Sequence, residues 1–330
     1  MAAEPLVIAN ATLRVSEQQI PPVVPLAKTP FWDQPWITPA LHDLAFGPIG
    51  DATPNTFFVV DAILRREVVG VFDLDVVDVP IACLYEADAA QDYAETAPYL
   101  VDLTLNRAAP GAFHRDLFTT HWQAGTGILI RSTADMATLR RHLRRFTMTE
   151  NASGRRMFFR FWEPNILRDY YEHLAHHRPQ RVQDIFRLRS GDRIDRMIGH
   201  ARGTTITVDA APDRIPEPGP AKEPFRLSPG EEDALYRSVL RRHAKDIADQ
   251  INDPDPDRAR SQRDALVFDC ILRMRRHDIR QLKNLKSLAE LDLRYGGAFE
   301  DHLPGMKAIL SGPGSEDARM KELAASMGVV

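Results

Sequence analysis

The chain has little cysteine and no long apolar run. Two cysteines, Cys83 and Cys270, occur in 330 residues, far apart and in apolar surroundings. Such usage excludes a disulfide scaffold or a zinc knuckle and points to buried free thiols. No apolar stretch approaches the roughly 20 residues that span a bilayer. The opening MAAEPLVIAN lacks a basic region followed by an apolar run, so no secretory signal and no membrane partner are expected. The chain is read as soluble and cytoplasmic. Charge of one sign is not in excess either. The formal net charge is -4, with 44% hydrophobic and 27% charged residues, so nothing draws the whole molecule towards nucleic acid.

Established catalytic patterns are also missing. There is no GxSxG elbow, Walker loop, HExxH or dinucleotide fingerprint, and Gly125 and Gly127 form no phosphate cradle. The expectation is therefore a non-enzyme with no cofactor and no metal. His173 and His177 share an i,i+4 face that could hold a metal, with His176 beside them, but no acidic or thiol partner stands at a recognised spacing. They read as solvated histidines at a helix end. His114 and His121 near Asp116 resemble an acid–base pair and carry an alternative reading as a hydrolase, with surface roles preferred. Asp73, Asp75 and Asp78 lack the glycine and terminal glutamate of a calcium loop.

What is present is organised in blocks. Residues 1–30 contain Pro21, Pro22 and Pro25 without periodicity and read as an extended N-terminal arm. Trp32 and Trp36 follow in a turn-rich stretch, as core anchors or a contact patch. TFFVVDAI (Thr56 to Ile63), Ile81 to Tyr85, PYLVDLT (Pro98 to Thr104), GILI and MFFRF read as strands, with Pro98 placed where a missing amide does least harm. Ser132 and Asp135 have the spacing of an N-cap and its N3 partner. Met136, Leu139, Leu143 and Phe146 then recur as one helical apolar stripe. Glu163–Pro164 reads as the start of a helix through Leu174, with proline at N1.

This alternation predicts a mixed α/β domain over 31–198. Residues 199–227, with APDRIPEPGPAKEP, read as a linker, although TTITV within them is a strand candidate. Residues 228–330 read as a helical domain opened by Ser228, Pro229 and Glu231. DPDPD (Asp253 to Asp257) interrupts it as a solvated break. The fold class is α+β, a mixed α/β domain followed by an all-helical one.

Arg140, Arg141, Arg144 and Arg145 lie beside or opposite the helical stripe. They could meet phosphates, carboxylates of a protein partner, or carboxylates of this chain. The negative net charge and the absence of a glycine–aromatic nucleic-acid module favour protein contacts. A nucleic-acid-binding or regulatory protein using this helix is the other alternative. Arg160 alternates with phenylalanines and is assigned an internal ion pair with Asp61 or Glu163; Arg131 is the competing candidate for that role.

In order, PYLVDLT, Trp122, GILIRS, LRRHLRRF and FFRFWEPNIL resemble the adaptor and chaperone family of type VI secretion systems, the family named for domain of unknown function 4123. The resemblance covers roughly Phe57 to Leu188. Val60–Asp61–Ala62 matches its Leu-Asp-Ala element with valine for leucine. Pro98, Tyr99 and Leu100 match its Pro-Tyr-Leu element. Gly127, Leu129, Arg131 and Ser132 match its strand and cap, Leu139, His142, Leu143 and Arg144 its central helix, and Phe159, Arg160, Phe161 and Pro164 its strand–helix junction. Trp162 and Glu163 depart from a smaller aromatic and an aspartate. The resemblance implies a protein that binds a cognate secreted effector and helps load it onto the C-terminal region of the spike protein. It would dock through Arg140, Arg141, Arg144, Arg145 and exposed aromatics at Trp32, Trp36 and Trp162.

Overall fold

A computed structural model describes residues 7–9, 12–65, 79–105, 110–211 and 225–328. It divides into two compact units, Met1–Leu235 and Tyr236–Val330.

The first unit is built on an eight-stranded sheet ordered β1-β2-β10-β9-β6-β3-β5-β4, in which every neighbouring pair is antiparallel. The strands are β1 (Val7–Ala9), β2 (Leu13–Gln18), β3 (Asn55–Asp61), β4 (Ile81–Cys83), β5 (Pro98–Asp102), β6 (Gly127–Ser132), β9 (Ile194–Ala201) and β10 (Thr204–Ala210). Separate from them, β7 (Met148–Glu150) and β8 (Arg156–Phe158) form a hairpin.

The central strands have near-continuous apolar runs because both faces of the sheet are covered. Phe57, Val59, Leu100, Ile128 and Ile130 enter one core. Their alternates Phe58, Val60, Val101 and Leu129 enter the other. The first core lies under α4 (Met136–Thr147), α5 (Ile166–His177) and α6 (Pro179–Phe186). The second lies under α1 (Pro39–Phe46) and α3 (Ala112–Asp116), the latter running on as a π-helical turn through His121. A short α2 (Ala87–Asp92) links β4 to β5. Gly127 meets a packing demand: a Cβ there would stand 2.0 Å from the Val59 carbonyl oxygen on β3.

Sequence and structure differ at both ends of this unit. The extended arm supplies β2, which lies between β1 and β10 and buries Leu13 and Val15. The sheet also continues past residue 198. Arg202 and Gly203, at φ 51° and 80°, form a two-residue turn that returns β9 as β10, the hairpin geometry that suits strand twist. The opening of the expected linker is therefore sheet, and residues 212–224 lie outside the described residues.

Helix α7 (Pro229–Ala248) starts where Ser228, Pro229 and Glu231 predict. Ser228 Oγ contacts the Glu231 amide nitrogen at 3.3 Å, and the Ser228 amide donates back to Glu231 Oε2 at 2.9 Å, a reciprocal cap. In the second unit α8 (Arg260–Arg276), α9 (Leu282–Tyr295), α10 (Phe299–His302), α11 (Met306–Ser311) and α12 (Glu316–Ser326) enclose a third core around Ile271, Met274, Leu288 and Phe299. Arg273 joins the buried Asp292 to Glu300 there. The first unit is mixed α/β and the second helical, as the sequence pattern predicts. No helix among the described residues is long and apolar enough to cross a membrane.

Candidate functional site

The arginine-rich helix α4 is set by its ends and its inner side. Asp135 is the N-cap: its side chain accepts from the Thr138 amide at 2.7 Å. Ser132, expected in that role, is the last residue of β6 and is buried. Its hydroxyl donates to the Arg193 carbonyl at 2.7 Å and accepts from the Ala134 amide at 3.1 Å. Pairing of β6 with β9 holds Ser132 in the sheet, so the helix begins three residues later than its signal suggested. Leu139, His142, Leu143 and Phe146 face the core. His142 Nε2 lies 2.7 Å from the Ile185 carbonyl oxygen on α6, and burial lowers its pKa to about 4.

The four arginines divide. Arg140 Nε donates to the Cys83 carbonyl at 2.7 Å, and Arg144 pairs with Glu86. These two hold α4 against the end of β4. Arg141 and Arg145 are exposed. Arg145 lies over the Phe146 ring at 5.5 Å. Burial lowers its pKa first, and the neighbouring Arg189 lowers it further, with Asp184 opposing.

The outer side of α4 continues into the β7–β8 hairpin. Met148 is 43% exposed and lies opposite Phe158, which is 47% exposed. Phe158 stacks on Tyr85 at 5.6 Å and meets Tyr93 edge-on at 6.2 Å, with Tyr93 itself 49% exposed. Glu150 is engaged by Arg226 beside this patch. Sequence reasoning missed Met148, Phe158 and Tyr93 as a surface. No local period could have found them: Met148 follows α4 as an extended residue of β7 and meets Phe158 only through strand pairing.

The expected aromatic contacts separate as well. Trp32 is 71% exposed, and its carbonyl accepts from Arg115 Nη2 at 2.9 Å. Trp36 is half-buried among Phe46, His114 and Phe118. Trp162 is only 1% exposed, packed edge-on to Phe161 at 5.2 Å. It is core and not an exposed anchor, because the chain turns inward after β8. Strand β8 accordingly ends at Phe158, and α5 begins at Ile166, two residues after Pro164.

The strand–helix junction holds a charge cluster. Arg160 pairs with Asp61 and, through Nε at 2.6 Å, with Glu163. Burial raises the Asp61 pKa, Arg160 works against that rise, and the Ile63 amide donates to Asp61 Oδ1 at 3.0 Å. This is the internal role expected of Arg160. Arg131 makes a different contact: fully buried, it donates to the carbonyls of Leu44, Gly47 and Pro54. It thereby fixes the C-terminal end of α1. Pro98 opens β5, and the Tyr99 hydroxyl donates to the Ala94 carbonyl at 3.0 Å.

The other candidates are also placed. His114 is buried, its Nε2 3.0 Å from the Leu103 carbonyl oxygen. Asp116 lies between Arg65, at 2.8 Å, and His121, at 3.3 Å, so His121 and Asp116 come together without His114. The His173 and His177 rings are 4.9 Å apart. No group of three or more metal-ligating side chains occurs among the described residues. Asp73, Asp75 and Asp78 lie outside the described residues.

The arrangement places exposed arginines and exposed apolar side chains along one stretch of the unit's surface, from α4 into the hairpin. A family model described as Domain of unknown function (DUF4123) matches residues 56–181, from β3 into α6, a span that includes α4, the hairpin and the Asp61–Arg160 pair. No curated protein and no solved structure matches the chain.

Proposed function

We propose that this protein is an adaptor, or chaperone, of a type VI secretion system: it binds a cognate effector in the cytoplasm and helps place it on the C-terminal region of the spike protein. The family match over residues 56–181 carries the reading. It falls on the segment whose ordered motifs resemble that adaptor family. The surface chemistry is compatible with the role. A loader must hold a client and later release it, which suits a broad surface with an apolar centre and a polar rim. The exposed side of α4 and the adjoining hairpin have that composition. On this reading the protein acts by binding and not by catalysis, and the helical second unit contributes to the choice of effector.

Co-expression with the effector and spike protein encoded nearby, followed by size exclusion, tests the proposal. Co-elution with either partner is expected. Separate elution of all three at micromolar concentrations would overturn it.

A further inference from the structure

The outer side of α4 and the β7–β8 hairpin make one continuous strip with two kinds of chemistry. Arg141 and Arg145 lie on the exposed side of α4, and Met148, the extended residue that follows the helix, is paired across the hairpin with Phe158. Tyr93 extends the apolar part beyond Phe158. At the other edge Arg145 and Arg189 are both exposed, and the Arg189 charge bears on Arg145. Two cations in this relation are relieved by an anion placed between them. Exposed methionine and aromatic side chains, in turn, are adaptable and energetically important contact groups.

We infer that this strip receives an acidic, amphipathic segment of a protein partner, with its carboxylates on Arg141, Arg145 and Arg189 and its apolar side chains on Met148, Phe158 and Tyr93. The inference deepens the adaptor reading and rests on it for the source of that segment. A polypeptide fits better than a nucleic acid. Glu86 at Arg144, Asp184 near Arg145 and Glu150 at Arg226 interleave carboxylates with the arginines. A phosphate backbone would meet them as like charges, whereas a peptide can place its few carboxylates between them. The apolar centre supplies most of the affinity, and the arginines set orientation and association rate.

Fluorescence anisotropy on the full chain tests the strip directly. The probes are a labelled helical peptide with leucine and tryptophan on one side and glutamate on the other, the same peptide with lysine for glutamate, and a labelled single-stranded RNA. The glutamate peptide should bind at least about tenfold more tightly than the lysine peptide, and weaken as salt is raised. M148S/F158S should lose at least about tenfold in affinity for it. R141E/R145E, altered only at exposed positions, should invert the preference between the two peptides. A thermal melt of each variant separates lost binding from lost fold, and the charge variant stands should the hairpin variant melt early.

Equal binding of both peptides, preferential binding of RNA, or wild-type affinity in the folded variants overturns the inference. Co-elution with effector or spike protein is scored separately. If the strip binds acidic peptide while neither partner co-elutes, the adaptor reading fails and the surface stands. If a partner co-elutes equally with wild type and R141E/R145E, the adaptor reading stands and the surface assignment fails.

Discussion

The inner and outer sides of helix α4 belong to one twelve-residue segment but answer to different physics. Inside, Leu139, His142, Leu143 and Phe146 are closed off by the sheet and by α6. Outside, Arg141 and Arg145 stand in solvent, and Met148 continues the surface into the hairpin. Arg140 and Arg144, on the flank between, are committed to Cys83 and Glu86. A run of four arginines within six positions therefore contains two that fasten the helix and two that stay exposed. Like residues in one motif need not share a role, because role is set by direction from the helix axis and by what stands there.

The contrast can be broken by substitutions ordered by expected effect. Leu143→Ala should cost about 2–5 kcal/mol, since Leu143 is buried and the cavity closes only partly; urea unfolding would measure it. A cost below about 1 kcal/mol would mean that the inner side is not packed as described.

His142 gives the next effect, and it depends on pH. Its folded pKa is lowered from 6.5 to about 4. The stability from keeping the ring neutral is complete above about pH 6.5 and is lost as the pH falls towards 4, because the unfolded chain takes up the proton first. The loss should reach about 3 kcal/mol across that window. His142→Gln should flatten this part of the stability–pH curve, and an unchanged slope would place the titration elsewhere.

Asp135→Ala removes the cap at the helix start. Its destabilisation should be smaller than that of Leu143→Ala and clearly measurable by thermal melt. Ser132→Ala should leave the capping bond in place while disturbing the contact with Arg193. If only the serine change frayed the N-terminus of α4 in hydrogen exchange, the cap assignment would be reversed. At the small end, Arg141→Ala should shift stability by no more than about 0.5 kcal/mol, yet weaken binding of the acidic peptide. A large loss of fold at Arg141 would erase the distinction between the two sides.

Much of this arrangement was legible in the sequence, for identifiable reasons. The period of Met136, Leu139, Leu143 and Phe146 gave the inner side of α4, because a helix must bury its apolar stripe. The β-branched runs gave β3, β5 and β6. Phenylalanines on either side of Arg160 implied an inward-facing arginine that needs a carboxylate, and Asp61 provides one. The misplaced features depended on distant chain. Ser132 has the residue type of a cap, but β9 holds it in the sheet. Trp162 has the residue type of a contact anchor, but the chain turns it into the core. The apolar hairpin surface went unread because Met148, Phe158 and Tyr93 belong to three separate segments, and no local period links them.

The sequence by itself determined the class of each block, the inner side of α4, the helical second half and the motif order within the stretch that the family model matches. These follow from local periodicity and residue type, which act over a few positions along the chain. Only the tertiary structure decided that the N-terminal arm joins the sheet, that Arg131 holds carbonyls and not a carboxylate, and which arginines of α4 stay exposed. Those outcomes depend on strands and loops brought together across tens to hundreds of residues, where burial and hydrogen-bond satisfaction choose among contacts that residue type leaves open.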